Sequence, residues 1–158
     1  ELTYLVTEQA GLPAYEVSNH ARSEEHRSRH NTVYWRSGDW VGVGPGAHGR
    51  LTTEAGRVAT ECERQPAAYM ARVAREGCGW TSAAPLSRLD QARERVAMGL
   101  RLREGIAVAE LSDLALHLEE AQLADLAGQG LLSLNHNRVA LTQRGWLAAD
   151  RVSALISP

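Results

Sequence analysis

Lysine and phenylalanine are absent from this chain, and all seventeen basic residues are arginine. A bias towards alanine and arginine accounts for this and carries no functional signal of its own. Cysteine is nearly absent too. Cys62 and Cys78 stand sixteen positions apart, with no CxxC or CxxxCxxC spacing to hold zinc or an iron–sulfur cluster, and a reduced pair is the expected state. No run of about 18 apolar residues occurs, which excludes a membrane-spanning helix. The opening Glu1-Leu2-Thr3 is not a basic stretch leading into an apolar one, so no secretory signal is expected, and the missing initial Met points to a piece of something longer. An excess of one charge is lacking as well. Seventeen basic against nineteen acidic residues give a net charge of -2, with no general pull towards nucleic acid or an anionic membrane.

What is present is ordinary in bulk and uneven in place. With 158 residues, 44% of them apolar, one domain or two small ones can bury a core. The chemistry is concentrated between Tyr15 and Gly49, which hold four of the six histidines and the densest glycine cluster.

Residues 1–11 place Leu2, Leu5, Val6 and Gln9 on one helical stripe, with Gly11 as the stop. Residues 14–18 alternate and read as a short strand, and residues 19–38 lack either period and read as a long loop. Trp40 to Val43 reads as a strand running into Gly44-Pro45-Gly46. Residues 50–53 and 57–60 then flank Glu54-Ala55-Gly56 as a hairpin. A helix is expected over 66–76, ending at Gly77. Gly77, Gly79, Ser82 and Pro85 then read as a linker, the best candidate boundary.

Beyond it, Ser87 caps a helix carrying Leu89, Ala92, Val96, Leu100 and Leu102. Two more helices are expected near 108–117 and 119–128. Residues 131–134 and 138–141 flank Asn135-His136-Asn137 as a second hairpin, and Thr142 caps a final helix. The last fifty residues therefore read as winged-helix-like.

Gly44-Pro45-Gly46-Ala47-His48-Gly49 matches GxGxxG in form. A dinucleotide fingerprint needs a helix to begin there, whereas the following residues read as a hairpin. The glycines still let backbone approach a flat ligand, or else make a plain tight turn. His30-Asn31-Thr32-Val33-Tyr34-Trp35 joins an imidazole, a good ligand for iron including heme iron, to flat amphipathic rings. His20, His26 and His30 could form a metal site, though their intervals match no zinc pattern. The bland alternative is a solvated basic loop with one aromatic pair tucked into the core. His117 and His136 read as surface residues, and Trp80 and Trp146 as packing aromatics. Glu16 and Asp39 read as hydrogen-bonded structural carboxylates at least as readily as functional ones.

Three strings in one order give a resemblance: Tyr15-Glu16-Val17-Ser18-Asn19, then His30-Asn31-x-x-Tyr34-Trp35, then Gly38-Asp39-Trp40 through to Gly49. The chain resembles the oxygen-independent coproporphyrinogen III oxidase-like radical S-adenosylmethionine proteins, in particular their heme chaperone branch. Gly99-Leu100-Arg101-Leu102, Gly130-Leu131-Leu132 and Arg138-Val139-x-Leu141-Thr142 extend the likeness to nearly the whole chain. His20 departs from the family, which usually has an aromatic there, as does Ser23-Glu24 where Pro-Gly is usual.

The resemblance implies an α/β plus α chain: the last strands of a partial (β/α) barrel over residues 1–80, then a mostly helical, winged-helix-like domain over 81–158. It implies heme binding at His30, Asn31, Tyr34 and Trp35, with His30 as candidate axial ligand. It further implies a backbone contribution of Gly46, Ala47 and His48 to an S-adenosylmethionine pocket. The 4Fe–4S cluster of the family is held by a CxxxCxxC that this chain lacks, so the segment is expected to be inactive alone. The implied partners are heme or a porphyrin, the N-terminal half of the parent and a membrane-associated heme acceptor, in a cytoplasmic protein. The enzymatic alternative is a part of a coproporphyrinogen III oxidase. A nucleic-acid-binding winged helix is disfavoured by charge, because residues 105–158 carry three basic and six acidic side chains.

Overall fold

The computed structural model describes residues 2–135 and 137–157. Along the chain these form α1 (Leu2–Gln9), a 3-10 turn (Glu24–His26), α2 (Arg29–Trp35), β1 (His48–Thr53), β2 (Gly56–Cys62), α3 (Pro66–Glu76) and β3 (Trp80–Pro85). There follow α4 (Arg88–Gly99), β4 (Ile106–Ala107), α5 (Val108–Asp113), α6 (Glu120–Gly128), β5 (Leu132–Asn135), β6 (Arg138–Leu141), α7 (Gln143–Trp146) and α8 (Ala149–Ile156). The protein is a mixed α/β chain with two three-stranded antiparallel sheets, β1-β2-β3 and β4-β6-β5, and no closed barrel among the described residues.

Contacts divide the chain into two compact units, one made of the residues up to Ser37 with those from Arg88 onward, the other of Gly38–Ser87. The division implied by the resemblance, 1–80 and 81–158, is one of sequence order; by contacts the first 37 residues group with those from Arg88 onward.

In the Gly38–Ser87 unit, the β1–β2 hairpin closes at Thr53 opposite Gly56, whose φ of 117° supplies the turn. Asp39 reinforces it by accepting from the Thr52 amide at 2.9 Å and the Thr52 hydroxyl at 2.8 Å, while Arg57 donates to it at 3.1 Å. The Thr52 amide, the Thr52 hydroxyl and Arg57 together hold the Asp39 carboxyl below the usual carboxylate range. Helix α3 starts as its residues dictate: the Gln65 side chain accepts from the Ala68 amide, Pro66 occupies the first turn, and Gly77 ends it at φ 77°.

The other unit holds the main core. Ala92, Val96 and Leu100 follow helical spacing along and just past α4 and meet Ile106, Leu111, Leu126, Val139 and Val152, all buried. The N-terminal stretch joins this core by pairing with residues 101–103. The Val17 amide donates to the Arg101 carbonyl at 2.9 Å and the Arg103 amide to the Tyr15 carbonyl at 3.0 Å. Tyr4 on α1 adds a hydrogen bond to the Val17 carbonyl and a tilted contact with Trp146, ring centroids 5.8 Å apart.

Five expectations are corrected. Residues 14–18 make isolated bridges, Ala14 to His20 and Glu16 to Leu102, instead of a strand, since no continuous partner runs beside them. Trp40–Val43 likewise makes one bridge, Trp40 to Arg50. The supposed linker over 77–85 contains β3, which gains its strand character from pairing with β2 and not from its own sequence. The loop over 19–38 contains α2, a short helix that lacks an apolar period but has a cap. The final helix is broken at Leu147-Ala148 into α7 and α8, so Thr142 caps only four residues. His136, read as a surface turn residue, lies outside the described residues; His117 is exposed and Trp146 is 7% exposed within the core.

Candidate functional site

Helix α2 carries the HNxxYW string, and local hydrogen bonds fix where it begins. The Ser28 hydroxyl accepts from the Asn31 amide at 3.3 Å, a cap for one of the free amides of the first turn. Ser28 is itself anchored, its amide donating to the Tyr15 hydroxyl at 2.9 Å. Thus the tyrosine that opens the first string holds the start of the second.

Helical spacing then sorts the motif into two rows. His30 and Tyr34 form one, with the rings edge to face at 4.7 Å and 84° between planes. His30 is exposed, and among the described residues neither ring nitrogen has a hydrogen-bond partner. Asn31 and Trp35 form the second row. The indole nitrogen of Trp35 is buried without a partner, and the Arg101 guanidinium lies 5.2 Å from the ring centroid. From α4, Arg95 donates to the Trp35 carbonyl at 3.0 Å and to Glu110 at 2.8 Å. Arg36, closing the helix, pairs with Glu104 at 2.7 Å. Trp35 is thus fastened to α4 and the residues after it, while His30 faces outward. Arg95 had no sequence signal, and Arg101 appeared only within a family string with no link to Trp35, because their partners lie about sixty residues away.

Burial pushes the Glu110 carboxyl up, but its hydrogen bond with Arg95, that guanidinium's charge and the Ala107 amide outweigh it. The net position is below the usual carboxylate range. Glu16 is fully buried and accepts from the Ser18 amide at 3.2 Å and from the Asn19 side chain, a local turn that holds the first string together.

The three histidines do not converge. His20 Nδ1 meets the Thr7 hydroxyl at 2.9 Å and His26 Nδ1 meets the Ser23 hydroxyl at 2.7 Å. No group of three or more His, Cys, Asp and Glu able to hold a metal exists among the described residues.

The glycine-rich bend belongs to the Gly38–Ser87 unit. No helix begins there: β1 follows, as the failed dinucleotide context required. Gly44 and Gly46 have φ values of 115° and 69°. Their amides are already engaged, Gly44 with the Tyr69 hydroxyl at 3.1 Å and Gly46 with the Glu63 carbonyl at 2.8 Å, while the Ala47 amide reaches the Gly44 carbonyl at 3.2 Å. The Ala47 carbonyl accepts from Cys62 and the His48 carbonyl from the Trp40 indole. The Gly46 carbonyl is left over, on a residue where an added Cβ would meet nothing nearer than 3.8 Å.

The chain is similar to several known proteins. Residues 86–148 match the family described as HemN C-terminal domain. The chain is 36% identical over 156 residues to the bovine mitochondrial "Radical S-adenosyl methionine domain-containing protein 1", covering 92% of this chain and 35% of that protein. It is 36% identical over 150 residues to "Heme chaperone HemW" of Mycobacterium tuberculosis, covering 90% of this chain and 34% of that one. In fold it resembles the coproporphyrinogen III oxidase HemN of Escherichia coli, a radical SAM enzyme, with a TM-score of 0.69 over 99% of this chain and 39% of the other, at 17% identity. The chain spans about a third of the length of the curated relatives it matches. What these matches have in common is the C-terminal portion of radical S-adenosylmethionine proteins of the HemN and HemW kind, and it is this portion that the chain resembles.

Both cysteines of the chain are free. Cys62 is buried, with its thiol against the Gly42 carbonyl at 3.5 Å, and Cys78 is exposed. No helix among the described residues is long and apolar enough to cross a membrane.

Proposed function

We propose that this chain is the part of a heme chaperone that grips the heme iron, with His30 as an axial ligand. The observation carrying this reading is the exposed His30 imidazole, without a hydrogen-bond partner among the described residues and seated on a capped helix whose far end is tied to α4. A free neutral imidazole is a ligand for heme iron. Tyr34, edge-on to His30, limits its rotation and offers an aromatic surface to a porphyrin. Asn31 and Trp35 act from behind, by keeping the helix in place. The relative named "Heme chaperone HemW" supports the same direction.

In this reading the parent receives heme and passes it to a membrane-associated acceptor. Gly46, Ala47 and His48 would border an S-adenosylmethionine pocket completed by the parent's N-terminal half. Because the amides of Gly44, Gly46 and Ala47 are engaged, the Gly46 carbonyl and its uncrowded Cα are what that bend offers a nucleoside. The iron–sulfur cluster would be supplied entirely from outside this segment.

Heme titration of the full-length parent tests the reading. A Soret band is expected in the unaltered protein and a weakened, shifted one in His30→Ala. An identical spectrum in that variant removes His30 from the role.

A further inference from the structure

A cleft of about 430 Å³ lies within the unit built from the two chain ends, beside the β5–β6 wing, and no residue of α2 lines it. Tyr4, Leu141 and Trp146 give it an apolar side. Arg103 and Arg138 line it as well. Arg138 is held rigidly, its Nε donating to the Glu104 carbonyl at 2.9 Å and one terminal nitrogen to the Gly105 carbonyl at 3.0 Å, which leaves its other terminal nitrogen without a partner among the described residues. The Arg103 guanidinium has no partner at all among the described residues, although its backbone is fixed by the bond to Tyr15.

The carboxylates around the cleft do not cancel these charges equally. Glu104 is taken up by Arg36 at 2.7 Å and approached by Arg27 at 3.7 Å, and neither of those arginines lines the cleft. Of the lining carboxylates this leaves Glu8 to face Arg103 and Arg138, while Glu110, outside the lining, feels the Arg138 charge. The cleft therefore joins an aromatic side to a net positive one, with a guanidinium already oriented by two carbonyls.

We propose that this cleft is a second binding site, for a ring-bearing organic carboxylate: the ring lies along Tyr4 and Trp146, and the carboxylate is taken by Arg103 together with the other terminal nitrogen of Arg138. The volume suits a ligand of one or two fused rings, and a mixed apolar and polar lining is the usual make-up of such sites. The site is separate from the proposed heme ligand.

The test uses the full-length parent and calorimetric titration with three probes: 1-naphthoate, the neutral 1-naphthalenemethanol, and inorganic phosphate. Naphthoate is expected to bind, the alcohol at least tenfold more weakly, and phosphate to compete only at far higher concentration. Arg103→Gln should weaken naphthoate about tenfold, with Arg103→Lys recovering part of the loss and the thermal midpoint unchanged in both. His30→Ala should leave naphthoate binding as it was, so that this proposal and the heme reading stand or fall separately. Equal binding of the acid and the alcohol, no binding of either, or an unchanged affinity in Arg103→Gln overturns the proposal. Phosphate competing at the same concentration as naphthoate overturns the ring-bearing part of it and leaves a bare anion site.

Discussion

The imidazole of His30 meets the ring of Tyr34 edge-on, their centroids 4.7 Å apart and their planes at 84°. This pair is the outward row of α2, and it divides one six-residue string into a half that can meet a ligand and a half that holds the helix. Within the heme reading, His30→Ala should abolish most of the Soret shift of the parent. Tyr34→Ala should weaken heme about threefold to tenfold, the worth of an aromatic edge contact. Equal losses from both variants would mean that the pair acts as a fold element and not as ligand and support.

Trp35 should answer to a different assay. Trp35→Ala removes the ring that Arg101 covers and keeps the main-chain carbonyl that Arg95 holds, so a stability loss of about 2–3 kcal/mol from the lost ring alone is expected from denaturant unfolding. Trp35→Phe keeps most of the surface and drops a buried indole N–H that has no partner, so it should cost less than about 1.5 kcal/mol.

The Arg95–Glu110 pair predicts a pH dependence. The folded Glu110 carboxyl sits below its ordinary value of 4.5, so the folded state holds the ionised form more firmly than the unfolded chain does. The resulting stabilisation is complete above the unfolded value and is lost as pH falls through the folded one. Thermal midpoints should therefore decline as pH falls below about 4.5, and Glu110→Gln should flatten that decline. A variant with the same acid slope as the unaltered protein would show that other carboxylates set it.

Two glycines with similar backbones should respond unequally to alanine. Gly11 has φ 73° with open space around it, so Gly11→Ala carries backbone strain alone, about 1 kcal/mol. Gly105 has φ 62°, and a Cβ there would run into the Val139 carbonyl and Ala140 on β6. Gly105→Ala is expected to cost more than about 3 kcal/mol and to lower the thermal midpoint visibly.

How much of this was legible follows from where each signal resides. Helix α3 was readable from end to end because its cap, its leading proline and its closing Gly77 are all local. Both hairpins were readable for the same reason. Strand β3 was not, because Trp80–Pro85 is rich in residues that favour loops and becomes a strand only beside β2. Helix α2 was hidden by its lack of an apolar stripe, and its only local sign is Ser28, one of several serines in a polar stretch. The family strings pointed to His30 and Trp35 together, yet their different settings, one exposed and one held, depend on Arg95 and Arg101, which no spacing rule connects to Trp35.

The hydrogen bond from the Val17 amide to the Arg101 carbonyl ties together positions about 84 residues apart, across the whole of Gly38–Ser87. Closing so large a loop is slow compared with forming a hairpin and its neighbouring helix. During synthesis the intervening unit can mature first, while the stretch bearing His30 waits for the ribosome to deliver residues 101–103. The helix that carries His30 is therefore among the later features of this chain to acquire its final setting.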